Sequence, residues 1–411
     1  MLLSGLLPTE ASRERLRRLL NERSDEIDWP TVVRRAERHG TAALLRFNLA
    51  RGGWLDLVPA GERAALDEVS RNDAVRQLAF VSEAARLIEA LARHHITALP
   101  LKGAALMLGG YYPQAGLRAA VDIDLLVHPN QIQPAEQIAL QCGYREWISE
   151  RQAPIQPRLR QAARQEAHHA AVRRGPGGVA LELHYRAFEC PPKMMLFSRA
   201  RDFGFAEMIP RAVPWRAEIG GTLRLPAPED LCLHLVQHTV VDWQSAHLML
   251  RTLADLYFIL EREPEVSERL ERRAAEFKLS GAVRLALEAL QLAETATLEE
   301  LDQIPRRADV ALLLEAALSE PPAAFREAMR LFTYFDFRRH PLQKLGNLFA
   351  LIFTSKPHLA QLYQAPATSR VYLNYWRRPF DLLRKLHWEW IAPGNVRRLM
   401  RFRKLTRYSG Q

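Results

Sequence analysis

Two aspartates stand inside a run of apolar residues, Ala120-Val-Asp122-Ile-Asp124-Leu-Leu-Val127. Branched apolar side chains favour a buried strand here, and on a strand residues two apart point to the same face. Asp122 and Asp124 are therefore expected to project side by side. Ionised carboxylates that close repel, and burial penalises each further unless a cation compensates. Hard oxygen ligands suit magnesium or manganese. An isolated D-x-D is as readily an edge strand with its polar face in solvent, so its company decides.

Glu182 supplies that company. It is the single carboxylate in a second strand-like run, Val179-Ala-Leu-Glu-Leu-His-Tyr185. If the two strands are neighbours, Asp122, Asp124 and Glu182 meet at one point and hold one or two divalent cations. Such a site serves phosphoryl chemistry, lowering the pKa of an attacking hydroxyl and steadying a leaving pyrophosphate. Upstream, Leu99-Pro-Leu-Lys102-Gly103-Ala-Ala-Leu106 reads as a short strand, a Lys-Gly turn and a helix start. Glycine admits close approach of phosphate, a helix start favours anions and Lys102 adds a cation. By itself the pair is equally a plain strand-to-helix turn.

Other polar residues divide between a site and ordinary packing. Arg118, four residues before Asp122, is expected to pair with the aspartates or a phosphate, or to lie on the surface. His184 shares a face with Glu182 and is expected to orient that acid or touch substrate. Of the adjacent His168 and His169, only one can face a site. His234 and His238 have the i, i+4 spacing of zinc ligands on a helix, but no third ligand accompanies them, which favours helix packing. Asp255 reads as a helix-surface acid.

The elements that must position these groups form a mixed pattern. Residues 1 to about 95 carry helical periodicity, with a stripe through Leu66, Val69, Leu78, Val81, Ala85 and Ile88. Short apolar runs and helices then alternate, with strands expected at 97–101, 120–127, 144–148, 167–173 and 178–185 and helices at 104–111 and 134–142. Gly175-Pro-Gly-Gly178 suits a hairpin turn between the last two strands. From Pro228 the helical period returns, with helices expected at 229–240, 246–261, 265–278, 280–294, 308–319 and 322–335. The expected fold is α+β: helical segment 1–75, catalytic domain 76–225, helical domain 226–340 and tail 341–411.

Taken in order, Lys102-Gly103, Tyr111-Tyr112-Pro113, Arg118, Asp122-Ile-Asp124-Leu-Leu-Val127, Gly143-Tyr144 and Glu182-Leu-His184-Tyr185 resemble the uncharacterised bacterial nucleotidyltransferase family, within the DNA polymerase β-like superfamily. The resemblance covers about residues 75–190 and continues more loosely to about 380. It implies a mixed-sheet core, Asp122, Asp124 and Glu182 as metal ligands, and Lys102 and Gly103 as the nucleotide-phosphate loop. Asp255 matches a position in the family's helical half. The implied reaction moves a nucleoside monophosphate from a nucleoside triphosphate to an acceptor of unknown identity (a small molecule, peptide or glycan precursor), with Mg2+ or Mn2+ as cofactor. Gly103-Ala104 departs from the Gly-Ser of the wider superfamily and bears on nucleotide affinity more than on metal binding. Two further readings remain open: a D-x-D nucleotide-sugar glycosyltransferase, and a catalytically silent binding module of the same fold.

Composition sets the outer limits. Of the net charge of +10, residues 376–411 carry ten Lys or Arg against two acids, so the rest of the chain is near neutral. That is unlike a protein that coats nucleic acid. The tail interleaves Trp376, Phe380, Trp388, Trp390 and Phe402 with arginines, a mixture that suits an anionic membrane surface, RNA, or simple packing on the helices. No run reaches the roughly 18 apolar residues of a membrane span. The start of the chain is a poor leader, and Cys142, Cys190 and Cys232 have no metal-like spacing, so a reducing cytoplasm is expected.

Overall fold

Thr9 opens the first helix because its hydroxyl accepts from the Ser12 N–H and satisfies a donor the helix cannot. In this computed structural model, residues 1–146, 173–188, 203–216, 222–244, 250–297 and 373–385 are described, with 299, 300 and 359. Helices α1 (Glu10–Glu22), α2 (Trp29–Arg38) and α3 (Ala42–Gly52) lead into the long α4 (Ala60–Arg93). α4 runs unbroken past residue 75, where a domain boundary was expected. It enters the core through Phe80, Ala84, Leu87 and Leu91, whereas Leu78 of the expected stripe is 66% exposed.

Strands β1 (Ala98–Pro100), β2 (Asp122–Val127), β3 (Arg145–Glu146), β4 (Arg173–Arg174) and β5 (Ala180–His184) form one mixed sheet, in the order β1-β2-β5-β4-β3. β2 and β5 are parallel and central; the other pairings are antiparallel. The expected hairpin turn is present, with the Gly175 N–H bonded to the Val179 carbonyl. Helices α5 (Lys102–Leu108) and α6 (Ile132–Gln141) follow β1 and β2. A second, two-stranded sheet of β6 (Val213–Arg216) and β7 (Thr222–Leu225) was not expected from the sequence.

Beyond a short α7 (Phe205–Met208), helices α8 (Pro228–Gln244), α9 (Arg251–Arg262), α10 (Val266–Glu276) and α11 (Ser280–Thr295) pack together. α12 spans Asn374–Lys385. The expected helices at 308–319 and 322–335, His168, His169, Cys190, and the tail aromatics Trp388, Trp390 and Phe402 lie outside the described residues. Among those described, no helix is long and apolar enough to cross a membrane.

Two cores meet at the sheet. Ile123, Leu125, Val127, Leu181 and Leu183 point to one face and pack with α4 and α6. The opposite face carries Leu99 and Leu126, which join the helical body formed by α1–α3 and α8–α11. Strand alternation therefore sends Asp122, Asp124, Glu182 and His184 toward the helical body.

Candidate metal centre

The parallel register of β2 and β5 sets Asp124 opposite Glu182 and Leu126 opposite His184. Neighbouring strands lie about 4.8 Å apart, so the pairing itself brings the two carboxylates together. One ligand atom each from Asp124, Glu182 and His184 falls within 4.8 Å of the others. Asp124 and His184 are each 1% exposed, while Glu182 is half-buried. Of the three carboxylates expected to converge, Asp124 and Glu182 fall in this group on one face of the central strands; His184 is its third member, and Asp122 is not among the atoms within that distance.

Asp124 is the hub. Its Oδ1 lies 3.1 Å from Lys102 Nζ and 2.8 Å from His184 Nε2. An ionised carboxylate can only accept, so both nitrogens donate. Burial alone would raise the Asp124 pKa, but Lys102 and His184 outweigh it and hold the carboxyl far below its usual range. His184 Nε2 also lies 3.4 Å from Glu182 Oε2. Burial opposes a charge on the imidazole, yet its bonds to Asp124 and Glu182 raise its pKa above the ordinary value.

Asp122 behaves oppositely. It is half-buried and has no ion-pair partner among the described residues. Burial first, then the charges of Asp124 and Glu182, push its pKa up to about 6, with Lys102 and Arg118 opposing. Negative charge is thus in surplus where β2 begins. One half-buried carboxylate without an ion-pair partner among the described residues, beside two further carboxylates and an imidazole, is a donor set that fits a divalent cation.

The entry loop is built around a tight turn. Leu101 N–H bonds to the Asp124 carbonyl, and Lys102 then adopts φ +45°, a conformation rare for a residue with a side chain. That turn aims the ammonium back at Asp124. Gly103 is required by space: a Cβ there would collide with Arg118 Nη1 and come within 3.2 Å of the Ala120 Cβ.

Arg118 itself is paired with neither sheet aspartate. Its Nε and Nη2 donate to the two oxygens of Asp255, at 3.1 and 2.9 Å, and Nη1 donates to the Ala119 carbonyl at 3.1 Å. Asp255, expected on a helix surface, is instead 1% exposed and also accepts from Tyr112 OH at 2.5 Å. The pair fastens α9 to the segment between α5 and β2. Arg251 reinforces it by donating to the same Ala119 carbonyl. This clamp connects residues 137 apart in the chain, and no local pattern announces it.

A family model described as an uncharacterised nucleotidyltransferase matches residues 25–293. The chain belongs to that family. No curated protein and no solved structure matches. Membership carries an expectation of transferase activity, and the match spans both the sheet and helices α8–α11. The family's region therefore includes the clamp from Asp255 as well as the acidic cluster.

Proposed function

We propose that this protein transfers a nucleoside monophosphate from a nucleoside triphosphate to an acceptor, releasing pyrophosphate, on the face of the central strands marked by Asp122, Asp124 and Glu182. One observation carries the reading: β2 and β5 run parallel in a register that sets Asp124 against Glu182, beneath the turn at Lys102. Asp122, Asp124 and Glu182 would hold Mg2+ or Mn2+, with the His184 imidazole within reach of the same point. When bound, the cation offsets charge on the phosphates and lowers the pKa of an attacking hydroxyl.

The chain's own residues do the rest. At pH 7 Asp122 is ionised, because its raised pKa of about 6 still lies below the working pH. Asp124 stays ionised throughout, held by Lys102 and His184. His184 keeps the Asp124 and Glu182 carboxylates fixed in relation to each other. Lys102, already paired with Asp124, would also be the cation that meets the nucleotide phosphates, and Gly103 leaves room for the Arg118 guanidinium behind that turn. Arg118 acts as a positioning residue, holding the loop and α9 together through Asp255.

The test is incubation with the four α-labelled nucleoside triphosphates, Mg2+ and a cell extract. Label should pass to an acceptor, and the signal should vanish in Asp122→Asn and Asp124→Asn proteins that remain folded. Undiminished transfer in both variants overturns the proposal. The tail adds a contact surface to this reading. Leu373, Trp376 and Phe380 are 68, 82 and 67% exposed at helical spacing on and beside α12, next to Arg377. That pattern suits an anionic bilayer surface, and co-sedimentation with phosphatidylserine vesicles, lost in Trp376→Ala, would test it.

A further inference from the structure

Over residues 228–239 helix α8 is apolar almost all round: Leu231, Cys232, Leu233, Leu235 and Val236 are all buried in the helical body. A helix buried on every side must satisfy each polar group it carries. The two acids at its start and Thr239 obey this. Glu229 and Asp230 are paired with Arg211, Arg269 and Arg273, and the Thr239 hydroxyl donates to the Leu235 carbonyl at 2.8 Å. His234 and Gln237 do not. Each is 1% exposed, yet both ring nitrogens of His234 and both amide atoms of Gln237 lack a hydrogen-bond partner among the described residues.

These two residues are i, i+3 neighbours on one face of α8. α8 packs against α5, the helix that begins at Lys102, on the side of the sheet that carries Asp124 and His184. The charges of Lys102, His184 and Asp124 all act on the His234 ring. The unpaired atoms thus lie beside the acidic cluster.

Their chemistry narrows what they await. A neutral imidazole offers one donor and one acceptor, and a primary amide offers two of each. A phosphate only accepts, so it would leave the Gln237 oxygen and one ring nitrogen unmet. A metal ion would leave the donors unmet. The group that matches is uncharged and carries donors and acceptors together. We infer that His234 and Gln237 form the nucleoside subsite of this protein, receiving the base edge or the ribose hydroxyls of the nucleotide whose phosphates lie at Lys102. The inference rests on the nucleotidyl-transfer reading.

Calorimetric titration of the full chain separates the two. Wild type, His234→Leu and Gln237→Met are titrated, in Mg2+, with ATP, GTP, CTP, UTP and inorganic tripolyphosphate, and the Tm of each metal-free protein is recorded. Each substitution should weaken the best-bound triphosphate about tenfold, the value of one hydrogen bond, and leave tripolyphosphate affinity unchanged. The Tm should hold or rise, because an unpaired buried polar group is being replaced by an apolar one. Equal losses across the four nucleotides assign the ribose; lost discrimination among them assigns the base. Unchanged nucleotide affinity overturns the inference, as does a lowered Tm accompanied by equal loss of tripolyphosphate. Failure of the wild type to bind any nucleotide or tripolyphosphate overturns the parent reading, and this one with it.

Discussion

Replacing Asp122 by asparagine should make the metal-free protein more stable at pH 7.5 and abolish its response to magnesium. In the folded chain Asp122 keeps its proton up to about pH 6, against 3.8 for an ordinary aspartate. A folded pKa above the unfolded value means that the penalty is absent at low pH, grows as pH rises between those values, and is complete above the higher one. The full difference corresponds to about 3 kcal/mol at 1.36 kcal/mol per pH unit. Solvent reaches this half-buried group, and screening brings the expected figure to about 1–3 kcal/mol. Asparagine has the same shape without the charge and should recover that amount.

The assay is thermal melting of wild type and Asp122→Asn at about pH 4 and at pH 7.5, with and without Mg2+. At low pH the two should melt together. At pH 7.5 the variant should melt higher by a few degrees, and Mg2+ should raise the wild type alone, because a ligand stabilises only the state that binds it. The reasoning is refuted if Asp122→Asn melts lower at pH 7.5, or if Mg2+ lifts both proteins equally. The first outcome would make Asp122 a structural group, and the second would place the cation elsewhere.

Three further outcomes follow from the same geometry. Asp255→Ala leaves the buried Arg118 guanidinium unpaired and should destabilise by about 3–5 kcal/mol in urea titration, whereas Arg118→Met with Asp255→Leu should recover most of the loss. Gly103→Ala drives a methyl into Arg118 and should cost about 1–3 kcal/mol, with weaker triphosphate binding by calorimetry. Lys102→Met frees Asp124 Oδ1 from a competing cation, so Mg2+ should bind at least as tightly without nucleotide while the triphosphate binds about tenfold more weakly; equal weakening of both would refute the assignment of Lys102 to phosphate.

How much of this was visible in the residues depends on the range of the interaction. Period-two alternation alone put Asp122 and Asp124 on one face, and the face is as expected. The strand is shorter than read, beginning at Asp122, which is the first residue paired with β5; the Val121 side chain before it is 77% exposed. The turn at Gly175 was legible because glycine and proline punctuate locally. β6 was not expected: Pro214 in a four-residue strand argues against a strand at all, and it is tolerated here because, among the described residues, β6 pairs on one side only. Leu78 was misplaced for a similar reason, since α4 is long and only part of it meets the sheet. The pairing of β2 with β5, and of Arg118 with Asp255, spans long stretches of chain that no local pattern encodes. Those two pairings assemble the site.

The missing serine after Gly103 finds an explanation in the packing. Ala104 is fully buried in the core shared with Phe80, Ile123 and Leu125. A hydroxyl in that place would lie against apolar side chains, where an unpaired polar group is penalised. The loop therefore cannot recruit residue 104 to hold phosphate. Lys102, one residue before the glycine, is turned by its positive φ toward Asp124 instead. A single ammonium thus faces the carboxylate that would hold the cation, and under the proposed reading it would meet the accompanying phosphates as well. On the proposed reading, charge placed on a strained turn would take over what a hydroxyl at the next position does elsewhere, and the affinity for nucleotide would depend on Lys102 more than on any other residue of the loop.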